Sequence, residues 1–248
     1  MKELDPALTY AVVGDVHMKS TKLDRIIDKW FTRVDHFIML GDWQDDFPQC
    51  QQDTAEDTAD FLRSCLLDPQ MFTCLWGNHD TSYFDPSRHR CAGWEPSRQA
   101  AMADIPWDRF HLGAYITSVK PGHDHYLFTH AGLTQRWFRD PTYLPITPNL
   151  VEVIALLEQA EADLKARVHN PFLEAGRSRS GRQAHGGVLW ADWSEMDPIQ
   201  GISQIVGHTP QSDRRTKIKG TSICTDVFLE QIVVLNVEKN EMTIEECV

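Results

Sequence analysis

The sequence predicts an α/β fold built on a core of parallel strands. In its first third, short β-rich runs alternate with segments of helical periodicity, in the order strand, helix, strand, helix, strand. Each of the three β-rich runs also ends near a glycine that polar residues follow. Alternation of this kind is typical of strands joined by helical crossovers, which make neighbouring strands parallel.

The elements of the first half follow from their residue patterns. Apolar residues recur at helical spacing over 21–30, with Ser20 or Thr21 as the cap of this first helix. A second helix is predicted over 53–67, with Asp53 as its cap in an arrangement that resembles a capping box. The β-rich runs that predict the three strands are 8–13, 36–40 and 72–76.

The second half is less regular, but five segments can still be interpreted. The pattern over 115–130 predicts a β-hairpin, and 149–168 is the longest predicted helix. A further strand is predicted at 203–208, and a second hairpin at 231–246. The segment 174–187 is rich in glycine, serine and arginine, which is typical of an exposed or ligand-binding loop.

Length and composition exclude several classes of protein. The chain has 248 residues, 42% of them hydrophobic, and we expect one domain that spans residues 1–248. No stretch approaches the ~20 apolar residues of a membrane span, and the N-terminus lacks the pattern of a signal peptide. Six scattered cysteines then favour a cytoplasmic location. A formal net charge of −12 disfavours generic binding to nucleic acids or to membrane surfaces.

Polar residues follow five predicted strands at the point where each strand ends. They are Asp15 and His17 in GDVH, Asp42 in GD, Asn78 and His79 in GNHD, His130 in THAGL, and His208 in GH. Glycines precede most of them and permit sharp turns. Because ligands of open α/β sheets bind beyond the carboxyl ends of the strands, these side chains can converge. One such motif alone indicates a turn or a structural histidine, whereas five in order indicate a shared site.

The chemistry of these side chains favours a metal site. Apart from His79, they offer two carboxylates, one carboxamide and three imidazoles, and no thiolate, which suits Mn, Fe, Zn or a similar divalent ion. Six ligands are many for one ion that keeps open positions, and they suit two ions about 3.5–4 Å apart that share a carboxylate. Two divalent ions would outweigh two aspartates, so the pocket would be cationic and would favour a phosphate ester.

The order of these motifs resembles the calcineurin-like metallophosphoesterase superfamily, over most of the chain from Asp15 to His208. Three details are similar to its bacterial and phage branch near the phosphoprotein phosphatase family. They are THAGL at 129–133, LWADW at 189–193 and the single histidine of GHTP at 207–210. The resemblance implies a four-layer αββα sandwich of two mixed β-sheets flanked by helices.

The resemblance also implies a role for each site residue. One divalent ion would be held by Asp15, His17 and Asp42, and the other by Asp42, Asn78, His130 and His208. Mn²⁺ is the first choice, and Fe, Zn, Ni and Mg are the alternatives. His79 would be the general acid that protonates the leaving oxygen after attack by a metal-bridging hydroxide, and Asp45 would orient it. The competing interpretation is that His79 merely orients its neighbour.

The sequence lacks two arginines that bind phosphate in the eukaryotic-type protein phosphatases. The pair at 45–46 is Asp-Asp instead of Asp-Arg, and Trp76 and Gly77 occupy the stretch before GNH where those enzymes place arginine. We expect a substitute in the arginine-rich loop, with Arg179 or Arg182 favoured, because guanidinium binds phosphate bidentately. The competing interpretation is a solvated basic loop.

Three functions remain open. The first is a metal-dependent phosphoesterase that hydrolyses phosphate monoesters of a phosphoprotein, a nucleotide or another small phosphorylated molecule. The second is a diadenosine polyphosphate hydrolase or a phosphodiesterase, although the single His208 and the acidic charge argue against a diesterase. The third is an inactive metal-binding scaffold, which the complete set of ligands and His79 disfavours.

Two further features have alternative interpretations. The helix at 149–168 either packs on a sheet or belongs to an insertion around 140–187 that forms a substrate rim. Four tryptophans close to the motifs could stack on an aromatic substrate, although a core position is the simpler expectation for each. These are Trp43, Trp76, Trp190 and Trp193.

Overall fold

The computed structural model describes residues 1–45, 52–87, 90–118, 124–139 and 148–247, and the described strands form two mixed sheets. The strands are β1 (Lys2–Glu3), β2 (Thr9–Val13), β3 (His36–Met39), β4 (Phe72–Cys74), β5 (Gly113–Ile116), β6 (His125–Thr129), β7 (Ile202–Val206), β8 (Lys217–Lys219), β9 (Ser222–Cys224), β10 (Gln231–Asn236) and β11 (Glu241–Glu246). The helices are α1 (Ser20–Trp30), α2 (Ala55–Leu67), α3 (Asn78–Phe84), α4 (Pro96–Ala101), α5 (Gln135–Arg139) and α6 (Leu150–Lys165).

The first sheet has five strands in the order β11-β10-β2-β3-β4. Its strands β2, β3 and β4 are parallel, with Val12 opposite Ile38 and Met39 opposite Cys74. The C-terminal hairpin of β10 and β11 adds to this sheet, because β10 runs antiparallel to β2. The alternation of strands and helices and the C-terminal hairpin, both predicted from the sequence, are therefore confirmed.

The second sheet has six strands in the order β1-β5-β6-β7-β9-β8. Strands β5 and β6 pair antiparallel as the predicted hairpin, whose tip at 119–123 lies outside the described residues. Strands β6, β7 and β9 are parallel. Three strands of this sheet therefore direct their carboxyl ends the same way, as three strands of the first sheet do.

Two apolar layers hold the sheets and helices together. Alternate residues of β2 face opposite ways: Tyr10 and Val12 join a buried cluster that contains Phe128 of the second sheet. Ala11 and Val13 join a second cluster, in which Leu23 of α1 and Leu62 of α2 cover the outer face of the first sheet. Burial of each such side chain contributes about 1.5–3 kcal/mol. The result is the four-layer αββα sandwich that the resemblance implied.

The starts of the first two helices differ from the sequence prediction. The N-cap residue of helix α1 is Lys19, which makes no side-chain cap. Asp53 takes that place from a distance, because its carboxylate accepts the backbone N–H of Thr21 at 2.9 Å and the hydroxyls of Ser20 and Thr21. Asp53 was expected to cap the second helix, and that prediction is wrong by one residue. Thr54 caps α2, where its Oγ1 accepts the backbone N–H of Asp57 at 3.0 Å.

Helix α6 packs on the core. Its N-cap is Asn149, which forms a capping box with Glu152. The buried stripe of the helix includes Val153, Leu157 and Leu164, all within the main apolar cluster. The first part of the predicted rim insertion, residues 140–147, lies outside the described residues.

Two observations bear on the class of protein. None of the described helices combines the length and the apolar character that crossing a membrane requires. The cysteines among the described residues are all free and buried, and Cys50 lies outside them. The cytoplasmic location stays a prediction.

Candidate metal centre and active site

The two sheets bring the six predicted ligands to one place. Residues that follow β2, β3 and β4 meet residues that follow β6 and β7, since all five strands end at the same edge of the sandwich. Their donor atoms form two groups in which all atoms lie within 4.8 Å of one another. One group is Asp15, His17 and Asp42, and the other contains Asp42, His130 and His208.

Asn78 completes the second group. Its Oδ1 lies 2.8 Å from Nε2 of His130 and 2.8 Å from Nδ1 of His208. Oδ2 of Asp42 lies 3.3 Å from the same Nε2 of His130. One carboxylate, one amide oxygen and two imidazole nitrogens thus face a common point, which fits a divalent ion such as Mn²⁺, Fe²⁺ or Zn²⁺.

The first group is more open. Nε2 of His17 lies 3.6 Å from Oδ2 of Asp15 and 3.7 Å from Oδ2 of Asp42. Asp42 therefore belongs to both groups. This shared carboxylate is the arrangement that two neighbouring ions require.

Contacts behind the site orient the ligand atoms. Nδ1 of His130 lies 2.8 Å from the carbonyl oxygen of Leu40, so this nitrogen donates its proton there and leaves Nε2 for a ligand. The side-chain amide of Asn78 donates to Sγ of Cys91 at 3.3 Å, which directs Oδ1 towards the imidazoles. Burial raises the pKa of the Cys91 thiol to about 12.

Gly77 is required for close approach rather than for a sharp turn. Its backbone is extended at φ −99°, and a Cβ at this position would collide with Oδ1 and N of Asp42. The chain then enters helix α3 at Asn78, where the sequence predicted only a turn. Asp80 explains the difference, because its buried carboxylate accepts N–H groups of Gly77 and Asp42 at 2.9 Å and of Trp43 at 3.1 Å.

The carboxylates of the candidate ligand groups favour positive charge on the groups around them. Burial acts to lower the pKa of His17, but the carboxylates of Asp15 and Asp42 outweigh it and raise the pKa to about 10. Burial likewise acts to lower the pKa of His130, but the carboxylates of Asp42 and Asp15 outweigh it and raise the pKa to about 9. Burial and the charge of His130 lower the pKa of His208. The carboxylates that hold protons on His17 and His130 also attract divalent cations, which would replace those protons.

Asp226 is a third acidic residue that the sequence analysis missed. It follows β9, which is parallel to β7, so it reaches the same edge of the sandwich. The side chain is 3% exposed, and its Oδ2 has no hydrogen-bond partner among the described residues. Burial and the charge of Asp15 raise its pKa. Strand β9 has only three residues, too few to be predicted from the sequence pattern. An aspartate after a short apolar run was the one sequence signal for this residue.

One cavity of about 480 Å³ opens onto the centre. Five of its residues come from the centre and its surroundings: His17, Asp42, Asn78, His208 and Asp226. His79 and Asp45 line it as well, together with Arg179, Trp190 and Phe228. The described lining of the cavity thus combines candidate metal ligands with apolar walls and one arginine.

The predicted acid lies beside this cavity with its predicted partner. Nδ1 of His79 is 2.9 Å from Oδ2 of Asp45. The backbone N–H of His79 donates to Oδ1 of Asp42 at 2.9 Å, which ties the histidine to the shared carboxylate. The arrangement leaves Nε2 as the nitrogen of His79 that is not directed to Asp45.

The two favoured arginines differ in position. Arg179 lines the cavity, and its Nη2 donates to Oγ1 of Thr209 at 2.9 Å while its Nε lies 2.9 Å from Oδ2 of Asp192. Arg182 is exposed and is not among the residues that line the cavity. The geometry therefore favours Arg179.

Most of the tryptophans near the motifs belong to the core. Trp43 and Trp76 are fully buried, and Trp193 is 9% exposed. Trp190 is the one that lines the cavity among the described residues, with its ring edge-on to His208 at a centroid distance of 5.8 Å.

Fold and site together define a class of protein, a metal-dependent phosphoester hydrolase. The sequence model of the calcineurin-like phosphoesterase family matches residues 8–212. The chain therefore belongs to the calcineurin-like phosphoesterase family, whose members use divalent metal ions. Among curated proteins, none matches this sequence.

Solved structures agree with the fold. A cold-active protein-tyrosine phosphatase of a psychrophile, Shewanella sp., is similar with a TM-score of 0.58 and 16% identity, covering 100% of this chain and 82% of that chain. A protein serine/threonine phosphatase from Saccharomyces cerevisiae with similarity to human phosphatase PP5 has a TM-score of 0.52 and 16% identity, covering 99% and 82%. At this level of identity the likeness shows a shared fold alone.

Proposed function

We propose that the chain hydrolyses phosphate monoesters with two divalent metal ions, Mn²⁺ by preference, and with His79 as general acid. The observation that carries the proposal is the pair of donor groups that share Asp42, in one cavity with His79 and Asp45. The substrates would be phosphoproteins or small phosphorylated molecules.

The ligand residues determine where the ions would bind. Asp15, His17 and Asp42 would hold one ion, and Asp42, Asn78, His130 and His208 would hold the other. When bound, two such ions would polarise the phosphate and lower the pKa of water in the site. With Asp226 counted, three carboxylates offset two divalent ions, so the net charge would still be positive, though smaller than the first two aspartates alone suggest.

His79 would supply the proton for the leaving oxygen. Its Nδ1 is directed to Asp45, which would stabilise the protonated ring and fix its rotation. Nε2 would then give its proton to the oxygen of the departing alcohol. The alternative role, in which His79 only orients Asn78, predicts a loss of metal when His79 is replaced.

Arg179 would bind the phosphate in place of the arginines that the sequence lacks. It lies in the cavity wall, and its contacts with Thr209 and Asp192 hold it there. Arg179→Ala should lower kcat/KM more than about fivefold, a loss of about 1 kcal/mol in transition-state binding. Arg182→Ala is the matched control from the same loop and should stay within about twofold.

A substrate panel tests the proposed function. Purified protein with Mn²⁺ would be assayed on phenyl phosphate, a bis-phenyl diester, phosphopeptides and diadenosine tetraphosphate. We expect turnover of the monoesters to exceed that of the diester. Faster turnover of the diester would identify a phosphodiesterase, and faster turnover of diadenosine tetraphosphate would identify a dinucleotide hydrolase. No turnover with any metal would indicate an inactive scaffold.

A second experiment tests the acid. His79→Asn should reduce kcat on phenyl phosphate by about 10²–10⁴, the usual contribution of a general acid. Metal content should match that of the wild type, and His169→Asn, at an exposed histidine, is the control. Full activity of His79→Asn would remove the assignment.

A further inference from the structure

We propose that Arg98 and Tyr83 are positioning residues that hold His79 in its proton-donating orientation through Asp45. This inference rests on the proposed role of His79 and deepens it. Neither residue belongs to a motif that the sequence analysis identified. Both bind the oxygen of Asp45 that does not face the histidine.

The two oxygens of the Asp45 carboxylate have different partners. Its Oδ2 lies 2.9 Å from Nδ1 of His79. Its Oδ1 accepts one hydrogen bond from Nη1 of Arg98, at 3.0 Å, and another from the hydroxyl of Tyr83. Since two donors hold Oδ1 while Oδ2 faces the histidine, the carboxylate cannot rotate away without breaking both contacts.

Arg98 is itself fixed in place. Its side chain is buried on helix α4, and Nη1 also donates to the carbonyl oxygen of Gly93 at 3.1 Å. Buried guanidinium groups are retained where they are paired and hydrogen-bonded. The positive charge of Arg98 lies 3.0 Å from Oδ1 of Asp45, so the contact is a charge-assisted hydrogen bond, which is stronger than a neutral one.

The backbone around Asp45 is also constrained. Asp45 has φ +67°, in the left-handed region that non-glycine residues seldom adopt. Gly93, at φ +96°, lies so close that a Cβ there would be 3.2 Å from Cβ of Asp45. A strained residue persists where its surroundings over-determine it, and such residues concentrate at functional sites. Here the surroundings are the α3 tyrosine, the α4 arginine and the glycine loop between them.

Proton donation can be separated from other effects by the choice of leaving group. A phenolate leaves slowly unless it is protonated, whereas a dinitrophenolate is stable enough to leave without a proton. A residue that acts through the general acid should therefore matter for phenyl phosphate and not for dinitrophenyl phosphate. A residue that merely stabilises the fold or the metal centre should affect both substrates equally.

The experiment measures kcat on both substrates with saturating Mn²⁺. Arg98→Met should lose at least about tenfold on phenyl phosphate, part of the 10²–10⁴ that a general acid contributes, and less than about twofold on dinitrophenyl phosphate. Arg98→Lys should recover part of the loss, because it restores a cation beside Oδ1. Arg90→Met, at an exposed arginine that stacks on Trp94, is the matched control and should behave as the wild type.

If Arg98→Met does not fold, Tyr83→Phe tests the same proposal. It removes one hydroxyl and should show the same selective loss on phenyl phosphate, to a smaller extent. Equal losses on both substrates, or no loss on either, would overturn the proposal. If His79→Asn itself shows no dependence on the leaving group, the proposed acid fails. If His79→Asn shows it and neither Arg98→Met nor Tyr83→Phe does, only this inference fails.

Discussion

Trp76 offers a test of whether the residue before the GNHD motif serves the core or the substrate. Its ring is fully buried, with centroids 5.4 Å from Trp107, 4.7 Å from Phe110 and 5.2 Å from Phe84. Trp76→Ala would leave a cavity among these rings and should lower the free energy of unfolding by about 3–5 kcal/mol. Trp76→Phe keeps an aromatic ring and removes an indole N–H that has no partner among the described residues, so it should cost only about 1 kcal/mol.

Urea unfolding measures the two free energies, and kcat/KM on phenyl phosphate at saturating Mn²⁺ measures function. Trp76→Phe should keep kcat/KM within about twofold of the wild type, because the ring does not reach the cavity. The reasoning is refuted if Trp76→Phe loses activity while its stability is unchanged. That result would mean that the indole contacts the substrate.

Three further perturbations have defined outcomes. Gly77→Ala should weaken Mn²⁺ binding at least about tenfold in calorimetry, because a Cβ displaces Asp42. Gly201→Ala, where a Cβ meets open space but φ is +78°, should lower stability and leave Mn²⁺ affinity unchanged. Asp226→Asn should also weaken Mn²⁺ binding, because it removes a buried carboxyl group that could ionise when a cation binds beside it, and unchanged affinity would separate Asp226 from the centre. Burial lowers the pKa of His36 from 6.5 to about 4, so between these pH values the folded state binds fewer protons than the unfolded state. The free energy of unfolding should therefore fall as the pH drops from about 6.5 to 4, by up to about 3 kcal/mol, and His36→Gln should flatten this dependence in urea titrations at several pH values.

The strand ends carried most of what the sequence could predict. Each of the parallel strands β2, β3 and β4 is short, apolar and followed by polar residues within a few positions, so the local pattern alone identifies the candidate ligands that follow them. The pairing of β6 and β7 in a second sheet is not a local property. The second sheet entered through the family resemblance, whereas the strand-end pattern predicted only that His130, His208 and Asn78 can converge.

The misses have a common physical cause, which is dependence on distant contacts. Asp53 looks like the cap of the second helix, but it binds the start of α1, 32 residues earlier, and leaves the capping to Thr54. The GNHD segment looks like a turn, but Asp80 begins a helix by accepting N–H groups from the loop after β3. Arg98 lies 53 residues beyond Asp45, so only the folded chain shows that they are paired.

Asp226 is the cavity residue that the sequence pattern could least predict. It follows β9, a strand of three residues, with no glycine and no familiar motif around it. Its proximity to the ligands follows from the parallel pairing of β9 with β7. Only the topology of the second sheet makes this residue a candidate for the site.

The number of Mn²⁺ ions that the folded chain binds tests the central claim most directly. The shared carboxylate of Asp42 predicts two ions per chain, close enough for their electron spins to couple in paramagnetic resonance. Asp15→Asn should weaken one of the two sites and leave the other, and the coupled signal should then disappear. A fully folded wild-type chain that binds one Mn²⁺ at most, with no coupled signal, would contradict the account.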